Sequence, residues 1–208
     1  MRRKLIIAAS AFVAGVTVYS VIAQPQAEAP KPKVSAADKK KAYAAKVAQL
    51  PGPSEQHKLL ASLIGDFEVV TDLVVDGPDT VKFHGIEKGE SYLGGLFVKI
   101  ESHAAPEEEV KGERLVMYGY DPNINKYTMW QIESFNPNAI TATGTYDAAT
   151  KTFTFIGDVH QTATAKTPFH WILHILDNGA IEHQIQIPLD ESGKFQKVVG
   201  MLHTPIKK

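Results

Sequence analysis

The chain has 208 residues, 22 Lys plus Arg against 23 Asp plus Glu, and no Cys. Without cysteine there is no disulfide framework, thiolate metal site, cysteine nucleophile or lipid-modified amino-terminal cysteine. A formal charge of -1 removes the electrostatic case for nucleic acid, which needs a concentrated cationic surface to release counterions.

Arg2, Arg3 and Lys4 precede an apolar run from Leu5 to Ala23 that closes on Val21-Ile22-Ala23, small residues at the positions a signal peptidase reads. The pattern predicts export, with residues 1–23 acting as a cleaved signal peptide or, uncut, as a membrane anchor. The run is long enough to cross about 30 Å of hydrocarbon at about 1.5 Å per residue. The folded part is therefore expected outside the cytoplasm, periplasmic or extracellular. Residues 24–53 form a Pro-, Ala- and Lys-rich linker containing Pro25, Pro30 and Pro32. Within it Ser35 is placed to cap a short helix over Ala37 to Leu50, with Asp38 in its first turn.

Pro51-Gly52-Pro53 ends the linker, and residues 54–208 read as one β domain preceded by a helix. Ser54 caps that helix, Leu59, Leu60, Leu63 and Ile64 recur at helical spacing, and Gly65 stops it. From Asp66 the period changes. Stretches rich in Val, Ile, Thr, Phe and Tyr alternate with turn clusters, among them Asp76-Gly77-Pro78, Gly94-Gly95, Asp121-Pro122-Asn123, Asn136-Pro137-Asn138 and Asp177-Asn178-Gly179. About ten sequential strands with no further helix to cover a sheet predict an all-β fold. The simplest arrangement is an antiparallel up-and-down barrel with the helix closing one end; a two-sheet sandwich is the alternative closure.

Several segments then carry a likeness: Leu63-Ile64-Gly65-Asp66-Phe67-Glu68-Val69, Leu93-Gly94-Gly95-Leu96-Phe97, Gly119-Tyr120-Asp121-Pro122, and Gly144-Thr145-Tyr146-Asp147 with Lys151-Thr152-Phe153. In this order and spacing the chain resembles the bacterial domain of unknown function 1579 family, over roughly Glu55 to Thr204. The resemblance implies a calycin-like or lipocalin-like barrel and no particular reaction. Phe67, Phe97, Gln131 and Gly200 depart from the family's usual residues, whereas Glu133 matches a common acidic position.

Candidate site residues follow from strand geometry. His170 and His174 are four apart, and on a strand that separation is about 13 Å, too far to share an ion. If Asn178-Gly179 forms a two-residue primed turn, His174 faces His183 across the hairpin with Cβ atoms about 5 Å apart. Ile172, Leu176, Ile181 and Ile185 then share their face, and Trp171 and Leu173 lie on the other. If Asp177-Asn178-Gly179 is a three-residue loop, His174 faces Glu182 instead. His84, His103, His160, His170 and His203 read as isolated decoration. Glu133, near Trp130, is the best single carboxylate candidate, with hydrogen bonding to the Asn136 to Asn138 turn as its structural role. Tyr118, Tyr120, Tyr127, Trp130, Phe153, Phe155 and Trp171 either pack the core or line a pocket.

No nucleophile elbow, zinc-protease helix, dinucleotide loop or phosphate loop is present. The leading expectation is an exported, non-catalytic barrel that encloses a small apolar or amphipathic molecule near Trp130, Glu133, Trp171, His174 and His183, with no cofactor and no nucleic acid. Any membrane contact would run through an uncleaved amino terminus. The alternatives are an enzyme or a Zn²⁺ or haem protein built around His174 and His183, and an envelope protein that docks a partner.

Overall fold

The change of period at Gly65 marks the start of the first strand. The computed structural model describes residues 34–50, 52–76, 79–160, 165–190 and 192–207. The predicted export segment, residues 1–23, and residues 24–33 and 51 of the linker lie outside these residues. Among the described residues no helix is long and apolar enough to cross a membrane.

Helix α1 (Ala36–Val47) belongs to a unit separate from the one that begins at Leu50. Ser35 caps it, its Oγ accepting the Asp38 N–H at 3.1 Å, and none of its residues is buried. In the second unit Ser54 precedes α2 (Glu55–Leu59), and its backbone N–H donates to His57 Nδ1 at 3.0 Å. The helix then tightens into a 3₁₀ turn over Leu60–Leu63. The tighter winding brings Leu60 and Leu63 inward, where both are buried in the core.

Ten antiparallel strands follow: β1 (Gly65–Asp76), β2 (Asp79–Tyr92), β3 (Phe97–Ala104), β4 (Glu113–Asp121), β5 (Lys126–Glu133), β6 (Asn136–Asp147), β7 (Thr152–His160), β8 (Lys166–Ile175), β9 (Ile181–Pro188) and β10 (Phe195–Pro205). Each pairs with the next, and β1 also pairs with β10, Val69 opposite His203 and Thr71 opposite Met201. The sheet is a closed barrel, and the sandwich alternative is thereby set aside.

Alternation along the strands sorts inside from outside. On β5, Tyr127, Met129 and Gln131 are buried while Trp130 and Ile132 are exposed; on β8, Phe169, Trp171 and Leu173 are buried. The inward rings pack edge to face and tilted: Tyr127 lies 5.0 Å and Tyr146 4.5 Å from the Phe153 centroid, and Tyr118 lies 5.3 Å from Phe155. Tyr118, Tyr127, Phe153, Phe155 and Trp171 are therefore core, Tyr120 packs against them, and Trp130 stands on the outer wall.

The end of the 3₁₀ turn packs its backbone against Gly89 on β2. A Cβ at that position would lie 2.0 Å from the Leu63 carbonyl oxygen, a backbone atom that cannot swing aside. Gly89→Ala is therefore expected to push the turn outward and destabilise the barrel by about 1–3 kcal/mol. Gly52→Ala, whose Cβ meets nothing within 4 Å, should stay within about 0.5 kcal/mol of the parent. Equilibrium unfolding in urea compares the two.

Candidate functional site

Inward positions on neighbouring strands bring a polar cluster into this apolar interior. In the register Glu87 on β2 lies opposite Ser102 on β3, and Ser102 lies opposite Arg114 on β4. His203 on β10 reaches the same carboxylate from the other side of β1. Ser102 Oγ donates to Glu87 Oε1 at 2.7 Å, His203 Nδ1 donates to Oε2 at 2.9 Å, and Arg114 Nη2 donates to Oε1. Arg114 also directs Nε toward Ser102 Oγ at 3.4 Å and Nη1 toward Met201 Sδ at 3.7 Å, and its guanidinium carbon stands 5.6 Å from the Trp171 ring.

The electrostatics follow from burial. Glu87 is 4% exposed, and burial alone would push its carboxyl up. The charges of Arg114 and His203, with hydrogen bonds from His203 and Ser102, outweigh that and hold it well below the usual carboxylate range. His183, on β9, is 2% exposed. Burial, then His203 and Arg114, lower its basicity well below that of an ordinary histidine, so it is neutral. Its ring lies 4.2 Å from Trp171 and 5.7 Å from His203. Trp171 Nε1 donates to the Tyr118 hydroxyl at 2.9 Å, and burial raises the Tyr118 pKa.

These groups border a cavity of about 20 Å³ lined by Glu87, Arg114, Tyr118, Trp171, His183 and His203 together with Leu63, Phe67, Ile100 and Ile181. Such a volume admits about one water molecule. The Nε2 atoms of His183 and His203 are both buried without a hydrogen-bond partner in the protein, as is Gln131 Oε1. Among the described residues no group of three or more His, Cys, Asp or Glu is placed to hold a metal ion.

The cavity beside this cluster is therefore not the expected ligand-sized chamber. A drug-sized pocket needs roughly 300 Å³ or more, and here inward aromatic rings and Leu63 have taken that space. That cavity has no room for a haem macrocycle either. The expected His174–His183 pair does not form. Leu176 N–H donates to Ala180 O at 2.8 Å and Gly179 adopts φ +82°, which makes Asp177-Asn178-Gly179 a three-residue loop. His174 consequently faces Glu182, with Nδ1 3.5 Å from Oε2, while His183 lies opposite Leu173 and on the same inner face as Trp171.

Of the residues singled out in the sequence, Trp171 and His183 enter the cluster. Glu133 lies next to it, opposite Arg114 in the register, and accepts from Gln131 Nε2 at 3.1 Å rather than from the following turn. Trp130, 38% exposed, and His174 stand on the outside. His203 is no surface decoration: it is a member of the cluster. Glu87, Ser102, Arg114 and Tyr118 were not anticipated. Their signal is the alternation itself, since Glu87 sits between Gly85 and Gly89 on the inward positions of β2, and His203 continues the inward series Val199, Met201.

Fold and site together define a closed ten-stranded β-barrel with a charged, hydrogen-bonded group in a packed interior. A family model described as a protein of unknown function, DUF1579, matches residues 52–204, and the chain belongs to that family. No curated protein matches the chain.

Two outcomes follow from the buried charges. Arg114→Met leaves the Glu87 carboxylate without its main counter-charge and should cost about 3–5 kcal/mol in equilibrium unfolding. Adding Glu87→Gln should recover part of that loss. His183, neutral in the fold, has its full advantage above the ordinary histidine value and loses it as pH falls, because the unfolded chain takes up a proton there and the folded chain does not. Between about pH 7.5 and 5.5 the parent should lose up to about 1.4 kcal/mol per pH unit more steeply than His183→Gln, read from unfolding midpoints.

Proposed function

We propose that the chain is an exported, non-catalytic barrel whose interior seats a ligand of one or a few atoms between His183 and His203. The observation that carries this reading is the pair of imidazoles, 2% and 4% exposed, whose unpartnered Nε2 atoms belong to residues lining a cavity of about 20 Å³. A buried polar atom left unpaired costs about 1–3 kcal/mol, so a ligand that satisfies both nitrogens gains what the empty seat lacks. The size of the cavity limits the guest, and an apolar or amphipathic molecule would first have to displace core rings. Export rests on Arg2, Arg3 and Lys4 before the apolar run to Ala23.

Thermal unfolding of the full chain with d-block cations, small anions and a long-chain fatty acid tests the reading. Stabilisation by a small ligand, lost in His203→Gln, is the expected outcome. Stabilisation by the fatty acid alone would overturn it in favour of carriage.

A second reading, partner docking at the envelope, has one observation in its favour. On the outer wall Leu115 lies opposite Ile132 and Met117 opposite Trp130, and Trp130 and Ile132 are exposed. Under that reading Trp130→Ala would abolish partner cross-linking and leave small-ligand stabilisation unchanged.

A further inference from the structure

The donors around the seat narrow the class of ligand. His203 donates from Nδ1 to Glu87, and its Nε2 is buried without a partner in the protein. A carboxylate behind a histidine is the arrangement that fixes the tautomer and raises the basicity of a ligating imidazole. His183 is buried beside it, and its Nε2 too lacks a partner in the protein. Met201 shares their inner face: it lies opposite His183 in the register, two residues before His203 on β10, is 8% exposed, and has its Sδ 3.7 Å from Arg114 Nη1, a contact that binding an ion through sulfur would have to displace. Two imidazole nitrogens and a thioether make a soft donor set, which favours Cu(I) among biological cations.

Geometry and charge point the same way. The two ring centres are 5.7 Å apart. Two imidazoles sharing one ion through bonds of about 2 Å would have centres about 6 Å apart. Glu87 and Arg114 neutralise each other, so a monovalent ion adds one buried charge where a divalent ion would add two. Zn²⁺ also calls for four ligands, whereas a cuprous ion is satisfied by two or three.

We propose that His183 and His203 hold a single cuprous ion, with Met201 as a third donor and Glu87 fixing His203 from behind. This deepens the reading above and rests on it. The test is anaerobic titration of the full chain with Cu(I) against a chromophoric Cu(I) chelator, with Zn²⁺ titrated in parallel. One Cu(I) per chain is expected, with affinity lowered about 100-fold or more in His183→Gln and in His203→Gln, and about 10-fold or more in Glu87→Gln. X-ray absorption of the loaded parent should show two nitrogens at about 2 Å and one sulfur, and it decides the matter if a histidine variant fails to fold. Absence of Cu(I) binding, or a bound ion without imidazole nitrogen, overturns the proposal. If Zn²⁺ or a small anion binds with the same histidine dependence and Cu(I) does not, the ligand class fails and the seat stands. If no ligand depends on either histidine, both fail.

Discussion

β1 is hydrogen-bonded on both edges, to β2 on one side and to β10 on the other. That double pairing turns a meander of hairpins into a wall without a free edge. It also places half of every strand's side chains in one shared volume, where each addition is felt by all the others. The chain fills that volume with large and small residues in alternation: Gly144 lies opposite Phe155, and Gly157 opposite Phe169, so rings from one strand cover the gaps on the next. Closure does not by itself make a container. Here the same closure that suggests a hollow carrier allows ring to pack against ring, and the cavity beside the polar cluster is about 20 Å³.

The fold is legible because its signals are local. Turn clusters every few residues, strand stretches between them and one helix before Gly65 suffice to propose a ten-stranded meander, and each pairing joins neighbours in the chain. Register is harder. Asp177-Asn178-Gly179 is compatible with two loops, and the two place His183 on opposite faces, because a shift of one residue exchanges inside for outside. A two-residue primed turn would need positive φ at both Asn178 and Gly179; only Gly179 adopts it, and Asn178 Oδ1 instead accepts the Ala180 N–H at 3.0 Å. The larger loop keeps His183 with Leu173 and Trp171 and turns His174 to solvent.

The polar cluster is less legible because its bonds are not local. Glu87 meets Arg114 across β3, and it meets His203 over β1 from the far end of the chain. Neither contact leaves a spacing motif. What the sequence does contain is a contradiction on alternate positions: Glu87 falls where the strand period calls for an apolar or small residue, as do Arg114 and His203. A charged residue on the inner face of a barrel must find compensation, so such positions are best read jointly, each as a demand for the others.

That demand explains why the cluster is confined to one layer. Beside it, on the same cavity, stand Leu63, Phe67 and Ile181, none of which can answer a charge. Glu87 alone draws on three donors, Ser102, Arg114 and His203, and Arg114 is oriented in turn by Met201 and the Trp171 face. Once the carboxylate is satisfied, the remaining capacity of the layer lies in the Nε2 atoms of the two histidines. The stabilising network and the candidate seat are thus one structure: the bonds that make Glu87 tolerable in the core hold His203 by Nδ1 and leave its other nitrogen buried without a protein partner. A substitution that relaxes the charge pair therefore also changes the aim of the seat, which couples binding at His203 to the integrity of β2, β4 and β10 together.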